Sequence, residues 1–300
     1  MKILVSGSTG FVGSALIPSL TNKGYQVIRL VRSQPKLGRS EIQWDPAAGT
    51  IDLSALEGMD TVVHLAGDPI AEGRWTPEKK VKIQYSRVKG TFLLAESLAK
   101  LSQPPKVLIC ASAIGYYGNR GNEILTEESL SGSGFLAEVG RQWESAAEPA
   151  RQKGIRVVHL RFGIILHPTG GALKKMLPPF QFGVGGPFGN GKQYMSWIAL
   201  DDVIGAIHHA LTAENVRGPV NTVAPHPVTN REFSKTLGRV LRRPVLFAVP
   251  ALVVQLLFGE MADEALLASA RVEPSKLLAT GYQFLYPELE PALRHLLKKE

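Results

Sequence analysis

Short runs of consecutive apolar residues alternate, in the first half of the chain, with longer stretches whose apolar positions recur every three or four residues. Ile3-Leu4-Val5, the segment Gln26 to Val31, Thr61 to Leu65, Lys106 to Ala111 and Arg156 to Phe162 are of the first kind and predict buried strands. Between them, Phe11, Val12, Ala15, Leu16 and Leu20 suit the inner face of a helix that stops at Gly24, and Pro77 to Leu101 and Phe135 to Lys153 read as further helices. Such alternation predicts an α/β fold, a Rossmann-type doubly wound parallel sheet. Two places resist the pattern. Pro18 stands inside the first helix, where it removes a hydrogen bond, and residues 42–52 look like a hairpin or irregular insert around Pro46-Ala47-Ala48-Gly49.

From about Gly163 the texture becomes rich in glycine and proline loops. Residues 1–162 are therefore expected to form the dinucleotide-type core. Residues 163–300 are expected to form a mixed region in which one strand, Pro219 to Val223, returns and a smaller, mostly helical C-terminal lobe follows. Helices are expected at about 230–241, 250–258, 274–280 and 289–299, and Asp201 or Asp202 suits the N-cap of a helix running to Leu211.

The chemistry of the chain starts at Lys2 to Gly13. A buried strand runs into Gly7, Gly10 and Gly13, spaced G-x-x-G-x-x-G, and then into a helix. The first N–H groups of a helix have no partner within it and carry partial positive charge, so such a junction holds an anion. Glycine lets the main chain turn tightly and approach a pyrophosphate. The second strand ends Val31-Arg32-Ser33-Gln34, with no acid before Glu41 to take a ribose 2′-hydroxyl. Arg32 is free to pair with a 2′-phosphate, which favours NADP(H) over NAD(H). Ala66-Gly67, after the Thr61 strand, lets the backbone pass close to a cofactor, and Arg87 on the following helix is in reach of a phosphate. Ser112, Tyr116 and Tyr117 follow the Lys106 strand, where open α/β sheets hold ligands. His64 reads as a packed strand residue.

Composition narrows the picture. The 300 residues carry a net charge of +8, with Lys and Arg scattered along the chain. That distribution suits a small anionic ligand better than nucleic acid. Cys110 is the one cysteine, set in an apolar run, so neither a disulfide nor a Cys/His metal site is expected. Nothing at the N-terminus reads as a signal peptide, and the apolar segment 248–258 is too short to span a bilayer, so the expected location is cytoplasmic.

Gly7 to Gly13, His64-Leu65-Ala66-Gly67, Ser112 through Gly118, Arg161-Phe162-Gly163 and Trp197-Ile198 together resemble the extended short-chain dehydrogenase/reductases. The match is to their atypical epimerase-family branch, which carries a C-terminal domain of unknown function. Gly185-Gly186-Pro187, Asn221 to Pro225 and Leu278 to Tyr282 are similar to that branch's later motifs, so the likeness covers nearly the whole chain. It implies a nicotinamide dinucleotide, NADPH foremost, held by Gly7, Ser8, Thr9, Gly10, Phe11, Val12 and Gly13, by Arg32 and Ser33, by Leu65, Ala66 and Arg87, and by Ile164. Plant and cyanobacterial relatives are linked to plastid or cell division.

One departure stands out. The superfamily's Tyr-x-x-x-Lys pair belongs on the helix that here reads Phe135 to Glu144, and no Tyr lies between Tyr117 and Tyr194, nor any Lys between Lys106 and Lys153. Tyr85-x-x-x-Lys89 has the spacing but precedes Ser112 on an earlier helix. Two functions are compatible with this: an NADP-dependent oxidoreductase or epimerase-like enzyme on a carbonyl or sugar-nucleotide substrate, with Ser112, Tyr116 or Tyr117 supplying acid/base chemistry and Asp68, Glu72 or Arg74 touching substrate; or a dinucleotide-binding regulator of a protein partner.

Overall fold

The computed structural model describes residues 1–36 and 38–299. The chain runs β1 (Lys2–Ser6), α1 (Phe11–Asn22), β2 (Gln26–Val31), β3 (Glu41–Asp45), β4 (Thr50–Ile51), α2 (Leu53–Leu56), β5 (Thr61–His64), α3 (Pro77–Ala99) and β6 (Val107–Ala113). A 3-10 turn (Ile114–Tyr117), β7 (Ile124–Leu125), α4 (Phe135–Ser145), α5 (Glu148–Gln152) and β8 (Arg156–Phe162) complete the first half. Then come β9 (Ile164–His167), α6 (Gly171–Gln181), β10 (Tyr194–Met195), β11 (Trp197–Ala199), α7 (Leu200–Thr212), β12 (Gly218–Thr222), β13 (Val228–Thr229) and α8 (Asn230–Leu241). The chain ends with α9 (Ala251–Phe258), a π turn (Ala262–Leu266), β14 (Arg271–Val272), α10 (Ser275–Ala279) and α11 (Leu289–Leu297).

Eight strands form one sheet in the order β12-β8-β6-β5-β1-β2-β3-β4. All neighbours are parallel except β3 and β4. Successive strand residues point to opposite faces, so Ile3 and Val5 pack with α1 and α7 on one side while Leu4 packs with α3 and α5 on the other. Both faces are covered, which is why these strands read as continuous apolar runs. The strand order reverses between β1 and β5, and it is outside the C-terminal ends of the strands at such a reversal that open α/β sheets hold ligands. A third cluster joins α6, α8 and α11 through Leu173, Phe180, Phe233, Leu237 and Leu293.

Several local expectations change. The insert at 42–52 extends the main sheet: β3 pairs with β2, and β4 folds back on β3. Helix α1 passes through Pro18 without a break. Ser14 and Pro18 are both exposed, so water can satisfy the carbonyl that the proline leaves unpaired. The helix expected over 135–153 is two helices, because Pro149 lies at the start of α5 and its ring excludes the carbonyl of Ser145. Neither Asp201 nor Asp202 caps α7, whose N-cap is Ala199. Asp202 is fully buried and accepts hydrogen bonds from the Tyr282 hydroxyl (2.9 Å) and the Leu285 and Tyr286 amides (2.8 and 2.9 Å). The C-terminal segment is thereby latched to a helix of the sheet layer.

Among the described residues, no helix is long and apolar enough to cross a membrane, and no His/Cys/Asp/Glu group is arranged to hold a metal. Replacing Asp202 by alanine takes the acceptor from the part-buried Leu285 and Tyr286 amides and leaves the buried Tyr282 hydroxyl only the residue-202 carbonyl, at 3.1 Å. It should lower stability by about 3 kcal/mol, read as a fall in the urea midpoint at unchanged slope.

Candidate active site

The glycine loop is built by close backbone approach. Gly7 has φ +66°, and a Cβ there would lie 2.7 Å from the carbonyl carbon of Leu65; one on Gly13 would lie 2.2 Å from the Gly7 carbonyl oxygen. The β1 and β5 ends therefore touch main chain to main chain at Gly7 and Leu65-Ala66. Helix α1 starts just beyond, with Gly10 as N-cap, no side-chain cap and no acid in its first turn. Its N-terminal field is left for a ligand. The residues present thus fit a dinucleotide pyrophosphate.

The other cofactor candidates surround this junction in different ways. Arg32 and Ser33 follow β2, the neighbour of β1, and are exposed; the Arg32 guanidinium meets no partner among the described residues. Gly67 lies against the Arg87 side chain, whose Nη1 donates to the Asp68 carbonyl at 2.9 Å. Arg87 stacks over Trp143 at 5.0 Å. Burial pushes its pKa down to about 10, with partial compensation from Asp68, so it stays charged at neutral pH. The Ile164 amide is already given to the Ser196 carbonyl at 2.8 Å, so only its side chain and carbonyl remain for a ligand. Asp68 is paired with Lys79, and Arg74 donates to the Leu256 carbonyl at 2.6 Å.

Beneath the loop runs a chain of buried polar groups. Trp143 Nε1 donates to Thr91 Oγ1 (3.0 Å), which meets His64 Nε2 (3.0 Å), and His64 Nδ1 meets Ser6 Oγ (2.6 Å). Ser6 Oγ also accepts the Leu65 amide at 3.2 Å. Helix α4 is thus connected through α3 and β5 to the strand that carries the glycine loop. His64 is fully enclosed, and burial lowers its pKa to about 4.

The three acid/base candidates fare differently. Ser112 is buried and donates to Glu144 Oε1 at 2.7 Å. Glu144 forms a two-point ion pair with Arg161, both contacts 2.8 Å, on side chains 13% and 3% exposed. Burial opposes the Arg161 charge, but Glu144 outweighs it and the pKa is raised. Tyr117 is completely buried; its hydroxyl accepts from Arg161 Nη1 (2.9 Å) and has Asn221 Oδ1 (2.7 Å) and the Thr126 carbonyl (2.9 Å) as acceptors. Burial pushes the Tyr117 pKa up, although Arg161 and Asn221 pull against it. Tyr116 is half-buried, its ring stacked on the Arg161 guanidinium at 3.6 Å, and its hydroxyl has no partner among the described residues.

Helix α4 supplies the wall opposite. Residues four apart share a helix face, and the pair turned to the 3-10 turn is Leu136 and Gly140. Leu136 packs on Gly115, and a Cβ on Gly140 would lie 3.2 Å from Tyr116 Cα. A residue larger than glycine would push Tyr116 away. Tyr85 and Lys89 do bond to each other (2.9 Å), but exposed on α3 beside Ala47. Sequence reasoning missed Glu144, Asn221, Leu136 and Gly140. A glycine within an otherwise helical pattern was the available signal for the last.

Two outcomes follow. Below pH 6.5 an unfolded imidazole takes up a proton that buried His64 refuses until about pH 4. The unfolded state then binds more protons, so stability falls as pH drops through this window, by about 3 kcal/mol in full. Burial lowers the His159 pKa also, which adds in the same direction. Urea unfolding between pH 7 and pH 4.5 should show the fall, and His64→Asn should make it shallower. Glu144→Ala should cost about 3–5 kcal/mol by leaving Arg161 buried and uncompensated, whereas Glu144→Leu/Arg161→Met should recover most of that in the same urea assay.

Residues 3–223 match the sequence pattern described as the NAD dependent epimerase/dehydratase family, and residues 249–296 match a domain of unknown function, DUF1731. Epimerase family protein Mb2239 of Mycobacterium bovis is 41% identical over 97% of this chain and 96% of its own length. The crystal structure of human epimerase family protein SDR39U1 (isoform2) with NADPH superposes with a TM-score of 0.90 at 37% identity, covering 99% of both chains. A structure described as the nucleoside-diphosphate sugar epimerase from Corynebacterium glutamicum gives a TM-score of 0.80 at 38% identity, covering all of this chain and 59% of that one. With its glycine loop, reversing parallel sheet and C-terminal DUF1731 segment, the chain belongs to the NAD dependent epimerase/dehydratase family of extended short-chain dehydrogenase/reductases.

Proposed function

We propose that the chain is an NADPH-dependent oxidoreductase that reduces a carbonyl substrate of the sugar-nucleotide type without a Tyr-x-x-x-Lys pair. The observation that carries this is the Gly7 loop closed on Leu65-Ala66 beside an uncapped helix N-terminus. The NADPH bound to the human relative supports it. In this reading residues 7–13 hold the pyrophosphate, and Arg32 with Ser33 holds the 2′-phosphate. Arg87, Gly67 and Ile164 border the rest of the dinucleotide. When bound, NADPH supplies hydride to a substrate carbonyl.

The proton comes from Tyr116. Its hydroxyl is uncommitted, whereas Ser112 serves Glu144 and Tyr117 serves Asn221 and Thr126. Arg161, fixed by Glu144, holds the Tyr116 ring in place, and Gly140 leaves room for it. Because Leu136 and Gly140 fill the helix face that would carry a base and its lysine, reduction suits the site better than alcohol oxidation or reversible epimerisation. The same face also supports a second reading, in which the protein binds the dinucleotide and regulates a partner without chemistry.

NADPH should bind roughly 10- to 150-fold more tightly than NADH, the range expected of one charge-assisted bond, and Arg32→Ala should erase most of that difference in fluorescence titrations. Equal affinities in the parent protein would refute the assignment. On a carbonyl substrate found by screening NADPH oxidation, Tyr116→Phe should slow turnover by roughly 100-fold or more while NADPH affinity holds. Full turnover by Tyr116→Phe would reduce that residue to wall packing, and NADPH-dependent partner binding without any turnover would select the regulatory reading.

A further inference from the structure

The run Val245 to Phe258 contains fourteen residues, of which only Gln255 and Pro250 interrupt the aliphatic and aromatic side chains. Apolar segments of this length are usually core helices or interfacial ones. This one is not core: α9 buries Val254 alone. Leu252 and Leu256 are 66% exposed and Leu257 62%. The preceding loop adds Leu246 and Phe247, and it lies beside residues 182–189: Val249 donates to the Pro187 carbonyl and Gly189 to the Val249 carbonyl, both at 2.8 Å. That second loop contributes Phe182 and Val184, 82% and 73% exposed. Two adjacent loops and the helix that follows one of them therefore gather exposed large apolar side chains in a number that monomeric soluble proteins rarely leave uncovered.

The charge around this surface says what covers it. Lys174, Lys175, Arg74, Lys80, Arg242 and Arg243 stand on the bordering elements. Arg74 is tied to the Leu256 carbonyl, Arg243 to the Gln181 carbonyl and Lys175 to the Ala71 carbonyl, which hold the side chains without neutralising them. Elsewhere on the molecule arginines face carboxylates, as in Arg120–Glu123, Arg151–Glu148 and Arg239–Glu290. The neighbouring acids are fewer. Glu260 is ion-paired with Lys80, so that pair cancels; Asp263 accepts from Gln255 and Glu264 from the Leu136 amide, which leaves both charged together with Glu72, against the cations Lys174, Lys175, Arg74, Arg242 and Arg243. A second copy of the chain would bring cation against cation across a two-fold contact. The exposed set is Leu, Val and Phe bordered by Lys and Arg, the two-sided composition of a helix that lies in a membrane interface.

We propose that α9 and its two flanking loops dock the protein on an anionic lipid bilayer, the apolar side chains entering the acyl boundary and the basic rim meeting the headgroups. The surface is continuous with the candidate site, since Phe258 and Met261 pack with Trp75 and Leu136 in one apolar cluster. Docking would set the cleft mouth close to the lipid.

The full chain should float with vesicles of phosphatidylcholine mixed with phosphatidylglycerol. Binding to phosphatidylcholine alone should be roughly 10-fold weaker or more, and salt should weaken the anionic binding. Leu252→Glu/Leu256→Glu should abolish flotation. Both side chains are exposed, so the unfolding midpoint should be unchanged. Leu246→Ser/Phe247→Ser, on the loop, should weaken flotation independently of α9. No flotation with anionic vesicles overturns the proposal and leaves the surface to an acidic protein segment. A dimer in light scattering that Leu252→Glu/Leu256→Glu dissociates overturns it in favour of self-association.

Discussion

The buried pair of Glu144 and Arg161 is the contact on which the candidate site depends. Two charges with little solvent access must satisfy one another in full, and two-point geometry with spare hydrogen bonds does so. Further contacts extend the pair. Ser112 donates a hydrogen bond to the carboxylate, the Tyr117 hydroxyl accepts one from the guanidinium, and the face of that guanidinium carries the Tyr116 ring. One pair therefore fixes the end of β6, the 3-10 turn, α4 and β8 relative to one another. The Ser112 and Tyr117 hydroxyls are thereby committed to this scaffold.

The opposite side of the crevice obeys a different constraint, that of backbone against backbone. At Gly7 and Leu65 the chain comes too close for a side chain, and the neutral His64 beneath keeps two strands and two helices in one hydrogen-bonded line. The charged network thus lies among β6, the 3-10 turn, α4 and β8, and the uncharged one lies beneath the glycine loop. Trp143 belongs to both sides, stacking under Arg87 and donating to Thr91.

Much of the architecture was legible because strands buried on both faces leave an unmistakable apolar run, and because glycines at a strand–helix junction have few other uses. The glycine loop, the returning strand and the packed nature of His64 and Cys110 were all of this kind. Local breaks were harder. Pro18 and Pro149 obey the same steric rule, yet one is absorbed where the freed carbonyl meets solvent and the other divides a helix. Asp202 looked like a cap because it precedes an apolar helical pattern, and only the later Tyr282 to Tyr286 segment reveals its partners. Glu144, Arg161 and Asn221 lie too far apart in sequence for any pattern to join them, so the network that commits Ser112 and Tyr117 was not visible.

The position of β12 at the sheet edge bears on how the chain is made. β8 ends at Phe162, but its outer neighbour begins only at Gly218, and the two pair through five residues. During synthesis from the N-terminus, the β8 edge stays open until the ribosome has delivered a further half-hundred or so residues, with unpaired amides and carbonyls available to any other strand. The intervening α6 to α7 segment is thus also a delay, and chains that stall within it would carry a sticky sheet edge. Completion of the fold waits on material that lies beyond the part of the sequence that looks like a finished domain.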